Sequence, residues 1–149
     1  MCVGPLRYAS LGLSKQLASG HHMNLSDHPT AQLLARWYPP VAFMAMIFLA
    51  SSLPAGGGIG EVPGGDKLLH TVGYAVLAVL LCRTMALQRA TLAGAAAAFA
   101  IAAVYGATDE FHQWFVPSRT CALGDWLADA VGAAAGAGTW LAWGSRRRR

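Results

Sequence analysis

Ionisable and polar residues gather in three groups, each at the edge of a long apolar segment. The first group contains Asp66, Lys67, His70 and Tyr74; the second contains Asp109, Glu110, His112, Gln113 and Arg119; the third contains Asp125 and Asp129. Basic side chains bind phosphates and carboxylates, and acids bind amines and hydroxyls. A histidine beside a carboxylate can also serve as a general base. These residue types therefore indicate ligand binding or acid–base chemistry.

Helical spacing places several of these side chains on common faces. Asp66, His70 and Tyr74 follow one another at intervals of four residues, so they share one face of a helix. Asp109 and Gln113 are related in the same way. We therefore expect each helix to present its polar residues together.

A polar stripe is predicted on the last apolar segment. Asp125, Asp129, Gly132 and Gly136 fall within an arc of about 60° at 100° per residue. The two glycines form a small-xxx-small patch, which lets a neighbouring helix approach closely. The two acids on this stripe should therefore face protein rather than lipid.

Other chemistries remain open for the polar groups. His70 or His112 could act as a general base oriented by a carboxylate. Cys121 and Ser118 could act as nucleophiles, although neither has a partner at motif spacing. No ligand spacing typical of a metal site is present, so we expect no metal and no cofactor.

Purely structural roles are the alternative for individual residues. Asp66 and Asp125 could cap helix N-termini, and Lys67 could extend to the lipid headgroups. Arg119 could form an ion pair with Asp109 or Glu110 that holds the loop. Ionisable residues at membrane depth usually mark function. Because several of them recur on three segments at one end, we favour a binding site built from the whole set.

The composition of the chain indicates a membrane protein. Of 149 residues, 55% are hydrophobic and 12% are charged, against about 25% charged in average soluble domains. The mean hydropathy is +0.41. The net charge of +4 includes the terminal arginine run. These properties disfavour a soluble enzyme, a disordered chain and a nucleic-acid partner.

Four apolar segments, residues 33–53, 66–87, 89–107 and 123–143, predict an all-α bundle of four transmembrane helices. Pro39 and Pro40 fall in the first turns of the first segment, where missing N–H groups matter least. A cleavable signal peptide is the alternative for this segment. The fourth segment owes its hydrophobicity largely to alanine and glycine. Residues 1–32 form a predicted mobile extension, residues 33–144 the membrane domain and residues 145–149 a basic cytoplasmic tail.

The basic residues are unevenly shared between the two sides that four crossings create. One side carries Arg36, Arg83, Arg89, the basic residues of the extension and the terminal arginines, whereas the other carries Lys67 and Arg119. The positive-inside rule places both termini in the cytoplasm. Every acid except Asp27 falls on the outer side. We therefore predict an extracytoplasmic polar site in a bacterial-type cytoplasmic (inner) membrane.

The polar residues resemble the signatures of the VanZ-like family of integral membrane proteins. Residues 66–74 are similar to the family's D-K-x-x-H-x-x-x-Y pattern. The block YGATDEFHQWFVPSR, residues 105–119, resembles Y-G-x-x-D-E-x-x-Q-x-F-x-P-x-R. Asp125, Gly132 and Gly136 follow at family-like spacing, and the resemblance covers residues 35–143. The chain departs from it at Asp129, where the family often has asparagine, and at Ala122, where a small hydroxyl residue is usual.

The resemblance implies a helical membrane protein of the cell envelope, in a family whose founding member is associated with teicoplanin resistance. We expect the polar site to bind or modulate an envelope component that is lipid-linked or anionic. One alternative is an enzyme that acts on an envelope lipid or precursor through histidine and carboxylate chemistry. Another is a structural partner that uses the glycine face around Gly136. The sequence indicates no oligomeric state.

Overall fold

A computed structural model describes residues 29–54, 64–85 and 90–146. These residues form four helices and no strand: α1 (Pro29–Ser51), α2 (Gly65–Met85), α3 (Leu92–Gln113) and α4 (Leu123–Arg146). Residues from Ala35 onward group as one compact unit. The predicted all-α class is thus confirmed. Of the extension predicted to be mobile, residues 1–28 lie outside the described residues, as do most of the glycine-rich connection and of the basic tail. Residues 29–32, which were included in that prediction, belong to helix α1.

Helix α1 begins earlier than its apolar segment predicts, and this changes the position of its prolines. Because α1 begins at Pro29, Pro39 and Pro40 lie in its middle rather than in its first turns. A proline in a helix interior leaves the carbonyl four residues earlier without its usual donor. For Pro40 that carbonyl belongs to Arg36. The Thr84 hydroxyl of α2 lies 3.1 Å from it and 2.9 Å from the Leu80 carbonyl.

Helices α2 and α4 pack against each other through glycine. A Cβ added to Gly132 would collide with the backbone carbonyl of Thr71, and one added to Gly136 would collide with that of Ala75. Both glycines are buried. The predicted close approach of a neighbouring helix is therefore confirmed. The neighbour is α2 of the same chain, so this part of the glycine face is already covered within the chain.

The remaining helix contacts combine small apolar residues with single hydrogen bonds. Leu77, Ala98 and Ala133 are fully buried and represent the contributions of α2, α3 and α4 to the core. Between α3 and α4, the Trp126 indole N–H donates to the Ala103 carbonyl at 3.0 Å. Between α3 and α1, the Tyr105 hydroxyl donates to the Met44 carbonyl at 2.6 Å. These bonds hold α1 and α4 on either side of α3.

Three helices, α1, α2 and α3, are long and apolar enough to cross a membrane. Large apolar side chains stay exposed along all four helices, among them Val41, Val76, Val104 and Val131. Exposed apolar surface of this extent is typical of lipid contact. With 24 residues α4 is also long enough to span, but it carries Asp125 and Asp129. Its crossing remains a prediction.

Candidate functional site

The polar groups predicted from the sequence meet at one end of the helices. Helices α2 and α4 begin at this end, and α1 and α3 finish there. Helix α3 continues to Gln113, beyond the apolar segment that ended at residue 107, so Asp109, Glu110 and His112 are helical. The end of α1 adds Ser51 to the predicted set. These residues share a location because α1 and α3 finish at the end where α2 and α4 begin.

The central contact joins His70 of α2 to Asp129 of α4. His70 Nδ1 lies 2.8 Å from Asp129 Oδ1, and the two side chains are 9% and 0% exposed. The acid that departs from the family pattern therefore holds the imidazole of a signature residue. A carboxylate on one ring nitrogen fixes the orientation and tautomer of an imidazole. The predicted inward direction of Asp129 is confirmed.

Two further ion pairs surround this contact. Lys67 Nζ lies 2.7 Å from Asp125 Oδ1, and Asp125 is buried. Arg119 lies 3.6 Å from Asp66 and donates through Nε to the Leu53 carbonyl at 3.2 Å. The alternative in which Arg119 pairs with Asp109 or Glu110 is therefore wrong, because the loop after α3 turns Arg119 toward the start of α2. Asp66 and Asp125 lie within the first turns of α2 and α4 and do not cap these helices. Each of them contacts a basic side chain instead.

Asp109 is buried between α1 and α3. Its Oδ2 accepts a hydrogen bond from the Ser51 hydroxyl at 2.9 Å and a longer one, 3.4 Å, from the Gln113 amide. The predicted common face of Asp109 and Gln113 is confirmed. Sequence reasoning missed Ser51. Ser51 lies at the end of an apolar run, and apart from its hydroxyl nothing in the sequence marks it as a site residue.

Glu110 faces a different side of α3 from Asp109, toward the start of α4. The Glu110 side chain is buried, and its Oε2 accepts a hydrogen bond from the backbone N–H of Ala122 at 2.8 Å. The loop between them contains Ser118, whose φ of 63° is left-handed. Glu110 thus fixes the end of this loop, and its second oxygen is left for another partner.

His112 takes no part in the central cluster. Its ring stacks on Phe48 with centroids 4.3 Å apart, and its Nε2 lies 3.0 Å from the Ser52 hydroxyl. Its described contacts therefore join α3 to the end of α1. The neighbouring aromatic residues Phe111, Trp114 and Phe115 are exposed. Of the two histidines considered as bases, the structure places His70, and not His112, with a carboxylate.

A cavity of 270 Å³ opens beside the cluster. Its polar wall comprises Ser51, Asp66, His70, Tyr74, Asp109, Gln113 and Arg119, and its apolar wall comprises Phe43, Met46, Ile47, Ala50, Leu69 and Gly73. The predicted common face of Asp66, His70 and Tyr74 thus forms one side of the cavity. Lys67, Glu110, Asp125 and Asp129 do not line the cavity.

Four buried polar atoms have no hydrogen-bond partner among the described residues. They are the Tyr74 hydroxyl, Asp109 Oδ1, Glu110 Oε1 and Asp129 Oδ2. Buried polar atoms are paired in most folded proteins, and an unpaired one costs about 1–3 kcal/mol. Such atoms at a cavity or between acids indicate a place for a bound group.

Among the residues that the structure describes, two sets of side chains have the geometry to hold a metal ion. One consists of Asp66, His70 and Asp125, and the other consists of His70, Glu110 and Asp129. In each set, one potential ligand atom per residue lies within 4.8 Å of the others. Because each set draws on at least two helices, no local spacing in the sequence reveals it.

Apolar helices with exposed apolar faces, and a buried polar cluster at one end, define a helical membrane protein. The chain belongs to the VanZ/LLP1 family, whose model matches residues 11–144. The resemblance stated from the signature residues is thereby confirmed, and the match begins before the predicted membrane domain. No curated protein and no solved structure matched the chain in the comparisons.

Proposed function

We propose that this VanZ-family protein binds the polar end of an amphipathic, lipid-linked envelope molecule in the 270 Å³ cavity. The observation that carries the proposal is that the same cavity has an apolar wall and a polar wall whose buried polar atoms lack partners. Asp109 Oδ1 and the Tyr74 hydroxyl lack partners, and both residues line the cavity. A ligand that bonds both atoms would relieve their cost of burial.

The polar wall suits a head group that offers hydrogen-bond donors. The carboxylate of Asp109 accepts from hydroxyl or amine groups, and Tyr74 can donate or accept. Arg119 lies at the same cavity with its long, 3.6 Å contact to Asp66. A phosphate of the head group can therefore compete for its guanidinium. Lys67 is held by Asp125 and does not line the cavity.

The apolar wall suits the lipid part of the same molecule. Phe43 and Met46 of α1 face Leu69 of α2 across the cavity. Phe43 is half-buried and Met46 and Leu69 are exposed, so a chain lying on this wall continues into the surrounding lipid. This amphipathic division favours a lipid-linked ligand over a free polar solute.

We place the cavity on the extracytoplasmic side of the cytoplasmic membrane. The support is the uneven distribution of basic residues, since Arg146 lies in the last turn of α4 and Asp125 in its first turn. Precursors of the envelope that carry sugar and phosphate on a lipid are accessible from that side. We extend the proposal to glycopeptide resistance on the family resemblance alone.

Native mass spectrometry of protein extracted with its lipids tests the binding proposal. Asp109→Asn and Arg119→Ala should each lower the amount of retained lipid by about tenfold, since each loses a charge-assisted contact worth about 1.5–3 kcal/mol. Arg83→Ala is the matched control, because Arg83 is an exposed arginine outside the cavity. If both cavity variants retain the same lipids as the wild type, the site is misplaced.

An enzyme is the second candidate function, and the His70–Asp129 pair is the observation that favours it. His70 lines the cavity while Asp129 holds its Nδ1 from behind. This is the arrangement of a general base with an orienting carboxylate, in which the other ring nitrogen exchanges the proton. Turnover of a phospholipid and lipid-phosphate panel should then vanish in His70→Gln and follow a histidine-range pH profile in the wild type. No turnover by the folded wild type, with or without divalent metal, would exclude this function.

A further inference from the structure

His70, Glu110 and Asp129 form a compact set of ligand atoms from three helices. One ligand atom of each lies within 4.8 Å of the other two. Asp129 is 0% exposed and Glu110 is 4% exposed. Two buried carboxyl groups therefore lie within 4.8 Å of the same imidazole. An uncompensated buried carboxylate is among the most costly groups in a folded protein.

Each acid of the set also keeps one oxygen without a protein partner. Asp129 Oδ2 and Glu110 Oε1 are both buried and unbonded among the described residues. Asp129 Oδ2 lies over Gly106, 2.7 Å from the position where a Cβ would stand. Gly106 is one turn before Glu110 on the same face of α3. The free oxygen of α4 is thus directed at the face of α3 that carries Glu110.

We propose that His70, Glu110 and Asp129 bind one divalent transition-metal ion, Zn²⁺ or Mn²⁺. One imidazole nitrogen with carboxylate oxygens suits these ions, whereas Mg²⁺ and Ca²⁺ take oxygen ligands. The ion would balance the charge of the two buried acids. A proton held between His70 Nδ1 and Asp129 Oδ1 leaves to solvent when the ion binds, since ligand atoms must be deprotonated.

The distances are compatible with such an ion. Zinc–ligand bonds of about 2.0–2.2 Å set ligand atoms at most about 4.4 Å apart across the ion. The set spans no more than 4.8 Å, so small side-chain rotations close it. His70 also lines the cavity, which supplies a path for the ion from the surface.

The neighbouring set of Asp66, His70 and Asp125 is less suited to an ion. Asp125 is bound by Lys67 at 2.7 Å, and Asp66 is approached by Arg119 at 3.6 Å. A cation entering there would displace basic side chains that already balance both acids. The ion is therefore assigned to the deeper set. This inference stands apart from the lipid-binding proposal.

Metal counting on the purified full-length chain tests the assignment. The protein is stripped with a chelator and dialysed against Zn²⁺ or Mn²⁺ with excess Mg²⁺, and bound metal is measured by inductively coupled plasma mass spectrometry. The wild type should bind about one ion per chain, and Glu110→Gln and Asp129→Asn should weaken binding by at least about tenfold. Asp125→Asn, a buried acid outside the proposed set, is the matched control and should bind as the wild type.

Circular dichroism and gel filtration establish whether each variant is folded. If Asp129→Asn does not fold, Glu110→Gln carries the test, because glutamine keeps an acceptor for the Ala122 N–H. X-ray absorption of the zinc-loaded protein should show one imidazole among oxygen ligands. The assignment is overturned if the folded wild type binds no ion above a detergent blank. It is also overturned if Asp125→Asn loses the ion and Glu110→Gln keeps it.

Discussion

The space above Gly106 sets the position of the Asp129 carboxylate at the centre of the site. A methyl group at Gly106 would lie 2.7 Å from Asp129 Oδ2 and 3.1 Å from its Cβ. We expect Gly106→Ala to displace Asp129 from His70 and to lower the free energy of unfolding by about 1–3 kcal/mol, the usual cost of overpacking. Thermal unfolding in detergent measures the change.

The control for this substitution is Gly138→Ala on α4. An added Cβ at Gly138 meets no atom within 4 Å. Alanine is the better helix former by about 0.8–1.0 kcal/mol, so this variant should be as stable as the wild type or more so. A Gly106→Ala variant as stable as Gly138→Ala would show that Asp129 can move without cost, contrary to the described packing.

At the residue scale, sequence spacing predicts faces within one helix but not partners across helices. Asp66, His70 and Tyr74 share a cavity wall because the helical repeat alone brings them together. The bond from His70 to Asp129 and the turn of Arg119 toward Asp66 depend on which helices are neighbours. That arrangement is set by packing, in particular by the glycines of α4, and not by local spacing.

Helix α1 depends on α2 to satisfy a backbone carbonyl that its own proline leaves without a donor. Thr84→Val removes the hydroxyl that lies 3.1 Å from the Arg36 carbonyl. Because lipid offers no replacement donor, we expect a loss of about 1–3 kcal/mol in the free energy of unfolding. Equilibrium unfolding in mixed detergent measures it, and Thr84→Ser, which keeps the hydroxyl, is the control.

A double-mutant cycle with Pro40→Ala isolates this contact. Alanine at position 40 restores the N–H that bonds the Arg36 carbonyl within α1. The cost of Thr84→Val should then fall to less than half of its value in the native background, since the carbonyl has a donor in either case. An unchanged cost would assign the stabilising effect of Thr84 to its bond with Leu80.

The approach of α2 to α4 provides the second prediction at the element scale. Gly132→Ala and Gly136→Ala each place a Cβ against a backbone carbonyl of α2, at Thr71 and Ala75. Backbone cannot rotate away as a side chain can, so we expect losses at the upper end of about 1–3 kcal/mol. Thermal unfolding measures them. Gly73→Ala, with no atom within 4 Å of the added Cβ, is the control on α2.

The elements themselves were largely predictable because apolar length is a strong signal. All four helices occur where the apolar segments indicated. The ends of the helices differ from the ends of the apolar segments. Helix α3, for example, continues to Gln113 through polar residues that lie beyond its apolar segment. Polar residues can continue a helix when they bond to neighbours, as Asp109 and Glu110 do. The composition of a segment shows only where its apolar part ends.

For the whole molecule, the two ends of the helices differ in charge. Arg83 lies at the end of α2 and Arg146 at the end of α4, whereas the buried acids gather at the opposite end. From this difference the positive-inside rule predicts an orientation with both termini in the cytoplasm. That orientation requires α4 to cross the membrane, although among the helices that the structure describes only α1, α2 and α3 meet the length and composition of membrane spans.

Single-cysteine labelling of intact cells tests this orientation and the fourth crossing together. Cys121 is exposed at the polar end, whereas Cys82 is only 2% exposed. A lack of labelling at Cys82 would therefore not show on which side of the membrane it lies. With Cys2 and Cys82 replaced, Cys121 should react with an impermeant maleimide from outside. In the same background lacking Cys121, Ser145→Cys at the far end of α4 is exposed and should react only after permeabilisation. Labelling of both positions from outside would show that α4 does not cross the membrane, and labelling of Ser145→Cys alone would reverse the orientation.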